Sequence, residues 1–381
     1  MKTDIRVAEL QGRRDLKRFL DLPERIYAND PNWVAPLRRE VRKLLDRRAN
    51  PFFDHGRACF WLAWRGNEVV GRISAQVNDL HLERYRDATG HFGFLEAIDD
   101  PAVFAALLRT AEDWLKARGI KRVIGPASLS INDEVGVLVQ GFDTPPMIGM
   151  THTPPYYGPR LEEQGYAKAK DLHAYVLNPS TVTGAERLER TMERIRARGR
   201  ITTRHIDMKR FHEEMQVGID IFNDGWSENW GFVPVTQKEV TALADSIAQI
   251  IRPEGVVFAM ADGVPQGILV GLPNLNEAIA DLNGRLLPFG WLKLLWRLRP
   301  GKIKSGRVAI FGVRNTLRNS TLSGALAAVM LAEALKIGRS MGIERGELSW
   351  ILEDNAWALT VVPCAGANLY KTYRMYEKPL G

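Results

Sequence analysis

The sequence contains little cysteine: Cys59 and Cys364 are its two cysteines in 381 residues. They lie far apart, and their spacing fits neither a metal site nor a disulfide framework. Cys59 stands in an apolar run, so we expect it to be a small core residue. Because no disulfide framework suggests secretion, a reducing cytoplasm is the favoured compartment.

Long uncharged apolar runs are also missing. No window approaches the 18 or so apolar residues that a membrane-spanning helix needs. The start, residues 1–6, is not followed by a long apolar core, so no signal peptide is expected. The overall composition, 45% apolar and 25% charged, is that of a globular protein. Its 381 residues suffice for two domains with separate cores.

Acidic residues are fewer than basic ones, and the net charge is +7. This moderate excess suits an anionic partner, and charge alone does not choose among nucleotide phosphates, nucleic acid and an anionic membrane surface. The basic residues are dispersed, and the sequence has no zinc, helix-turn-helix or RNA-recognition signature. We therefore expect no nucleic-acid partner.

Two stretches of the chain repeat the same order of elements. In the first, residues 59–63 and 69–73 have the pattern of a β-hairpin. In the second, residues 257–261 and 266–270 flank Asp262-Gly263, which is a strong hairpin signal. The repetition predicts two units of the same design.

An amphipathic helix with recognisable ends follows each hairpin. The first begins at Asp100-Pro101 and ends at Gly119; the second is capped by Ser320 or Thr321 and ends at Gly342. A short strand, a further helix and a last strand then follow in each half: 123–124, 157–165 and 172–177, then 348–351, 355–366 and 369–376. The predicted fold class is α+β, with mixed central sheets flanked by helices.

The predicted domain boundaries follow from this repeat. The first unit covers residues 1–177, and the second covers 201–381. Between them, 178–200 form a linker with a basic helix at 186–200, which we expect to be solvated. The halves differ in length because the second carries an insert at about 284–304.

The centre of this insert, residues 286–299, combines tryptophan, leucine and cations without an acid. An interfacial membrane segment has that composition, with rings at headgroup depth and basic groups near lipid phosphates. A segment that packs between domains would also account for it, and the sequence leaves both interpretations open.

A polar, basic stretch links the strand at 307–313 to the second long helix. Backbone amides and the dipole at a helix N-terminus favour an anion. Arg314 and Arg318 would add charge-assisted contacts to a pyrophosphate. An ordinary capped helix has the same local pattern, so this stretch alone does not decide.

Residues 255–376 resemble an acyltransferase domain of the GNAT superfamily, and residues 57–177 resemble a degenerate second copy. The superfamily's pyrophosphate loop is Gln/Arg-x-x-Gly-x-Gly/Ala; residues 318–323, RNSTLS, keep the arginine but replace both glycines. The first copy has an acidic run there, 96–100, which would repel a pyrophosphate, so only the second copy is expected to bind acyl-CoA. The resemblance implies these cofactor contacts: Phe311, Gly312, Val313, Arg314, Arg318, Asn319, Ser320, Thr321, Ser323, Gly324 and Asn355.

The whole chain is similar to a bacterial tandem-GNAT group that includes the bacterial ceramide synthases. The matching stretches are 31–36, 93–100, 130–134, 141–146, 154–157, 229–232 and 347–355. This resemblance implies transfer of a fatty acyl group from long-chain acyl-CoA to the amine of a sphingoid base, without a metal. It also implies peripheral contact with the inner face of the cytoplasmic membrane, and leaves an acyl carrier protein open as an alternative donor.

Amide formation from a thioester requires a base for the amine and donors for the oxyanion. The fold implies a splay between two central strands, with the donors near residues 311–313. Glu347, on the neighbouring strand, is the favoured base. The other catalytic candidates are Glu353, which would otherwise be a capping carboxylate, His152, which would otherwise be structural, and Tyr370. The family's tyrosine would fall near residues 361–362 and is missing, so Tyr370 is a weaker substitute.

Candidates for acceptor binding come from polar-aromatic segments and from the insert. Tandem indoles among amides suit a wall that holds a polar head beside an acyl chain, although they also suit a core. The candidates are Trp226, Asn229, Trp230, Tyr157, Asn132, Trp291 and Trp296. Two other functions stay open: a small-molecule or peptide N-acetyltransferase and a non-catalytic acyl-CoA sensor. An aminoacyl-tRNA-dependent transferase is disfavoured, because such enzymes usually carry a long helical arm for tRNA and the basic run 186–200 is too short to replace it.

Overall fold

The computed structural model describes residues 4–182, 185–197, 199–248, 251–318 and 320–381. Its contacts divide the chain into two compact units. The first comprises Met1–Leu172, Ile279–Gly290 and Lys371–Gly381, and the second comprises His173–Ala278 and Trp291–Tyr370. The first unit therefore includes part of the insert and most of the last strand, which the sequence had assigned to the second half.

The first unit is built around a mixed sheet in the order β1-β2-β3-β4-β5. Its pairs are antiparallel except β4 with β5, which are parallel. The elements are β1 (Ile5–Glu9), α1 (Gly12–Ile26), α2 (Arg38–Leu45), β2 (Gly56–Arg65), β3 (Glu68–Asn78), α3 (Asp79–Tyr85), β4 (Thr89–Ala97), α4 (Pro101–Lys116), β5 (Arg122–Gly125), β6 (Val137–Gln140), α5 (Tyr157–Glu163) and β7 (Ala167–Leu177). The last of these, β7, continues into the second unit.

Strand β2 shows why this sheet is covered on both faces. Side chains alternate along a strand, and Trp61 packs with Phe104 of α4 while Phe60 packs with Phe19 of α1. Cys59 is a free thiol in the α4-facing core, as expected, and burial raises its pKa to about 12. As predicted, α4 is capped by Asp100, whose side chain accepts from the amide of Ala102.

The second unit repeats this plan with the strand order β8-β9-β10-β11-β12. Again three antiparallel pairs are followed by one parallel pair, β11 with β12. The elements are α6 (Ala185–Ala197), β8 (Ile201–His205), α7 (Phe211–Gly225), α8 (Gln237–Ile247), β9 (Val256–Ala261), β10 (Val264–Pro273), α9 (Leu275–Ile279), α10 (Gly290–Arg297), β11 (Ser305–Val313), α11 (Thr321–Ser340), β12 (Arg345–Leu352), α12 (Ala356–Cys364) and β13 (Asn368–Pro379). From Lys371 onward β13 belongs to the first unit, where its residues 372–379 pair with β6 and β5.

Helices cover both faces of the second sheet. Val257 and Leu269 pack against α11, whereas Phe258 and Ile268 pack against α7 and α8. The predicted Asp262-Gly263 turn joins β9 to β10 with φ of 50° and 81°, a conformation that suits this pair of residues. The cap of α11 is Ser320, one of the two predicted residues.

The basic helix α6 is formed as expected, but one of its faces is buried. Leu188, Met192 and Ile195 pack against the core beside α11, and Arg196 pairs with the buried Glu333 at 3.0 Å. The helix is therefore amphipathic, with a solvated face and a core-facing face, rather than solvated all round.

Contrary to the expectation from the sequence, one helix among the described ranges, α11, is long and apolar enough to cross a membrane by length and composition alone. Half of its most apolar 18-residue segment is buried inside the protein. Core helices pass the same test, and Leu326 and Met330 of α11 are fully buried. The insert differs from it, because Leu287 and Phe289 are 80% and 71% exposed there.

Candidate active site

Strands β11 and β12 separate after a short stretch of pairing. Their parallel register runs from Ser305 with Arg345 to Val308 with Leu348. From there β11 continues beside β10 up to Val313, which pairs with Gly267. The splay leaves a pocket of about 680 Å³, counting the part open to solvent. Its narrow end lies at Val308 and Leu348, which both line it.

This pocket brings together residues that the sequence analysis had assigned to two different roles. Five of the predicted cofactor contacts and two of the predicted acceptor contacts line it: Phe311, Gly312, Val313, Arg318, Asn355, Trp226 and Asn229. Trp350 and Trp357 also line it and were not predicted. The two sets of candidates thus surround one opening in the second unit.

The close approach of the end of α7 to β11 explains why position 312 is a glycine. A Cβ at Gly312 would lie 2.4 Å from Cη2 of Trp226, so only glycine leaves room for the indole. The same indole stacks on Phe222, with ring centroids 4.8 Å apart. Trp226 is therefore held as a fixed wall of the pocket.

At its open end the pocket meets the stretch that leads into α11. The guanidinium of Arg318 donates to the carbonyl of Gly225 and lies 3.4 Å from Oδ1 of Asn229. The amide of Asn315 donates to Asp224 at 2.8 Å. These bonds hold the loop against the end of α7 and keep a cation beside the start of α11.

The remaining predicted cofactor contacts lie at the start of α11. Ser320 is the N-cap and accepts from the amide of Ser323, and Thr321 is the first helical residue. A Cβ at Gly324 would meet nothing within 4 Å, so protein packing does not require glycine there. Arg314 lies between β11 and this helix, with its amide bonded to Gln266 at 2.8 Å. Asn319 lies outside the described residues.

Near the narrow end, a buried carboxylate is held by three side chains. Glu347 has no exposed surface, and it accepts hydrogen bonds from the hydroxyls of Ser349 and Tyr370. Arg307 is in register with Glu347, and its Nε lies 3.8 Å from Oε1 of Glu347. Arg307 also donates to Oγ of Ser349 at 2.8 Å. In this cluster, Arg307–Glu347–Ser349–Tyr370, the Glu347 carboxylate is a proton acceptor whose orientation is fixed by its three neighbours.

Two members of this cluster were missed by the sequence analysis. Arg307 begins the predicted strand, and an arginine in an apolar strand was the available signal. For Ser349 the sequence offered no signal, because its contact with Glu347 follows only from the alternation of side chains along β12. Leu348 packs against Leu331 of α11, so its neighbours Glu347 and Ser349 point to the opposite face.

Two other catalytic candidates, Glu353 and His152, do not line this pocket. Glu353 follows β12 and is half-buried, and the N-cap of α12 is Asn355, which accepts from Ala358 at 3.1 Å. The capping role considered for Glu353 is therefore filled by Asn355. His152 lies in the first unit, 2.8 Å from Oδ2 of Asp30; burial lowers its pKa, against the opposing effect of Asp30.

Two acceptor candidates, Tyr157 and Asn132, also belong to the first unit. The Tyr157 ring is buried, and its hydroxyl lies 2.7 Å from Glu96 and accepts from Ala97. Asn132 is exposed in a turn, where its amide donates to Ser130. Trp230 of the second unit is half-buried.

In the first unit, the three carboxylates of the acidic run 96–100 each have partners within that unit. Glu96 is 3.6 Å from the buried Arg72, and burial raises its pKa. Asp99 pairs with Arg160 at 2.8 Å, and Asp100 caps α4. Each carboxylate is thus engaged by the unit's own structure.

Comparison with known proteins supports the resemblance. No family model matches the chain. It is 47% identical to the bacterial ceramide synthase of Caulobacter vibrioides, over 99% of this chain and 98% of that protein. It is 44% identical to the protein YghO of Escherichia coli K12, over 97% of this chain and 94% of that protein.

Solved structures share the fold at low sequence identity. One is a tandem GNAT protein from the clavulanic acid biosynthesis pathway, with a TM-score of 0.56, 14% identity and 99% of both chains covered. Another is a GCN5-related N-acetyltransferase from Sphaerobacter thermophilus, with a TM-score of 0.54 and 13% identity over 99% of this chain and 96% of that one. The predicted fold class is confirmed. The chain belongs to the family of tandem GNAT acyl-CoA N-acyltransferases that includes the bacterial ceramide synthase.

Proposed function

We propose that this protein transfers a long-chain fatty acyl group from acyl-CoA to the amine of a sphingoid base, forming an N-acyl amide. The observation that carries the choice of acceptor is the 47% identity, over nearly the whole chain, to a protein named bacterial ceramide synthase. The exposed tryptophans and leucines of the insert support a lipid acceptor independently.

In this proposal the phosphates of the donor bind at the open end of the splay. Arg314, Arg318 and the amides at the start of α11 supply positive charge and donors there. The space beside Gly324 fits this role. No protein atom lies within 4 Å of the position that a Cβ would take there, so a ligand has room to pass. The thioester then lies between β11 and β12, in the part where the two strands are no longer paired.

The reaction itself needs one proton acceptor and one site for negative charge. The amine nitrogen attacks the thioester carbonyl, and the proton it releases goes to Glu347. Backbone amides of residues 311–313 hold the oxyanion. When the carbon–sulfur bond breaks, the oxyanion becomes the amide carbonyl and CoA leaves as a thiolate. The thiolate takes up the proton that Glu347 had accepted, which returns the carboxylate to its starting state. Tyr370 and Ser349 orient the Glu347 carboxylate, and Arg307 partly balances its charge.

The insert is proposed to bring the site to the inner face of the cytoplasmic membrane. On α10, Trp291 and Trp296 are 45% and 50% exposed, and Leu292 and Leu295 are 49% and 59% exposed. Residues 285–304 contain six cations and no acid. Apolar rings at headgroup depth with cations around them fit an anionic lipid surface.

The test is thiol release by the purified protein with palmitoyl-CoA, acetyl-CoA or neither, each with and without a sphingoid base. Mass spectrometry identifies the lipid products, and the 3-keto and reduced bases form separate arms. We expect amine-dependent release and an N-acyl product with palmitoyl-CoA. An acyl carrier protein thioester, tested in parallel, shows whether CoA is required.

Two results would contradict the proposal. Release only with acetyl-CoA and soluble amines would identify an acetyltransferase of small molecules or peptides. Binding of acyl-CoA without a product from any amine would identify a sensor.

A further inference from the structure

A second pocket of the second unit lies between α11 and the sheet. Its volume is about 810 Å³, counting the part open to solvent. Leu331, Ala334 and Leu335 of α11 form one wall, and Leu269 and Leu272 of β10 contribute to another. Its lining is mostly apolar, which makes the pocket suitable for an apolar ligand.

The two pockets meet at one pair of residues. Val308 and Leu348 line both of them, and they are the last pair in the parallel register of β11 with β12. The narrow end of the splay therefore adjoins the apolar pocket.

The orientation of the bound acyl-CoA follows from where its phosphates can bind. Cations and helix amides lie at the start of α11, at the open end, so the thioester end points to Val308 and Leu348. Beyond them the pocket follows α11 from Leu331 to Met341, about 15 Å of helix. A chain attached to the thioester carbonyl would continue into this space.

We propose that this pocket binds the fatty acyl chain of the donor thioester and selects its length. The inference rests on the proposed function, because it requires a long-chain thioester as donor. Its chemistry fits, since apolar side chains from α11, β10, β11 and β12 would replace water around the methylene groups. Arg307 and Glu347 also line the pocket, each next to one of the shared residues Val308 and Leu348, so the proposed base lies at the end where the thioester would enter.

Ala334 offers the sharpest test because it lines the pocket and is only half-buried. Its side chain is a single methyl group, so larger residues can be introduced there in steps. Ala334→Leu and Ala334→Phe would fill part of the space. Ala328, also half-buried on α11 but outside the pocket lining, provides the matched control Ala328→Phe. Thermal unfolding establishes that each variant is folded.

The assay measures turnover with acyl-CoA thioesters of increasing chain length and one sphingoid base. For Ala334→Phe we expect palmitoyl turnover to fall about tenfold or more while turnover with a short-chain thioester is kept. Ala334→Leu should shift the optimum length less, and Ala328→Phe should keep the wild-type profile. Parallel loss at every length, or an unchanged profile, would refute the acyl pocket.

A second series keeps palmitoyl-CoA constant and varies the alkyl length of the amine. If Ala334→Phe changes the preference for the amine instead of the donor, the pocket holds the acceptor tail and the inference is wrong. Calorimetric binding of the thioesters alone makes the test independent of the acceptor. If the wild type yields no sphingoid product, the proposed function fails, but weaker palmitoyl-CoA binding by Ala334→Phe would still support the pocket.

Discussion

The hydroxyl of Tyr370 donates a hydrogen bond to Oε2 of Glu347, a carboxylate with no exposed surface. Ser349 donates to the other oxygen, and the nearest guanidinium, of Arg307, is 3.8 Å away. A buried carboxylate without such partners would be costly. The arrangement suits a proton acceptor with a fixed orientation, and it would also suit a purely structural cluster, so variants must separate the two.

We predict that Glu347→Gln lowers kcat by about 10²–10⁴-fold, the usual contribution of general acid–base catalysis. The amide keeps the shape of the side chain but cannot take the proton of the amine. Tyr370→Phe should lower kcat less, because it removes a positioning hydrogen bond and leaves the base. Steady-state kinetics with palmitoyl-CoA and the pH dependence of kcat check both effects.

The control for these variants is Glu333→Gln, another buried carboxylate of the same unit, which pairs with Arg196. It should reduce stability and leave the kcat of the folded protein unchanged. Equal kcat losses in Glu333→Gln and Glu347→Gln, each with a lower melting temperature, would show that Glu347 is only structural.

Gly324→Ala should stabilise the protein and weaken donor binding at the same time. A Cβ at this position meets no protein atom within 4 Å, and replacing a helical glycine by alanine typically stabilises by about 0.4–1 kcal/mol. If the donor passes beside Gly324, the added methyl group raises KM for acyl-CoA. A higher melting temperature with unchanged KM would place the donor elsewhere; Arg318→Ala is the comparison expected to raise KM without stabilisation.

The exposed insert predicts binding to anionic vesicles. Trp291→Ser with Trp296→Ser should release the protein from phosphatidylglycerol-containing vesicles in a sedimentation assay, because rings at headgroup depth provide the apolar contact. Leu243→Ser with Val264→Ser is the matched control, since these residues are 40% and 52% exposed outside the insert. Equal vesicle binding by both double variants would exclude the insert as the membrane contact.

Acid should destabilise the first unit through His91. Burial lowers its pKa from 6.5 to about 3, with the charges of His81 and Arg122 acting in the same direction and Asp87 opposing them. Between pH 6.5 and about 3, His91 is therefore protonated in the unfolded chain but neutral in the folded chain. This contribution is complete above pH 6.5 and is lost as the pH falls towards 3; at pH 5 the loss is about 2 kcal/mol.

Urea unfolding from pH 7 to pH 4.5 measures this effect as a slope of unfolding free energy against pH. His91→Gln should reduce the slope, whatever its effect on stability at pH 7. His212→Gln, whose side chain is 67% exposed, should keep the wild-type slope. An unchanged slope in His91→Gln would assign the acid sensitivity to other groups.

The sequence by itself determined the features that depend on neighbouring residues. Asp262-Gly263 predicted a tight turn, Asp100 and Ser320 predicted helix starts, and the repeated order of elements predicted two units of one family. These predictions succeeded because capping, turn conformation and alternation involve residues only a few positions apart.

Only the tertiary structure decided which distant residues meet. Arg307, Glu347 and Tyr370 lie on three different strands, and the register of β11 with β12 and the path of β13 bring them into one cluster. The apolar pocket beside Val308 and Leu348 likewise arises where α11 crosses strands that are remote in sequence. Periodicity shows which side of a strand is apolar, but register and helix packing depend on contacts between segments that no local pattern encodes.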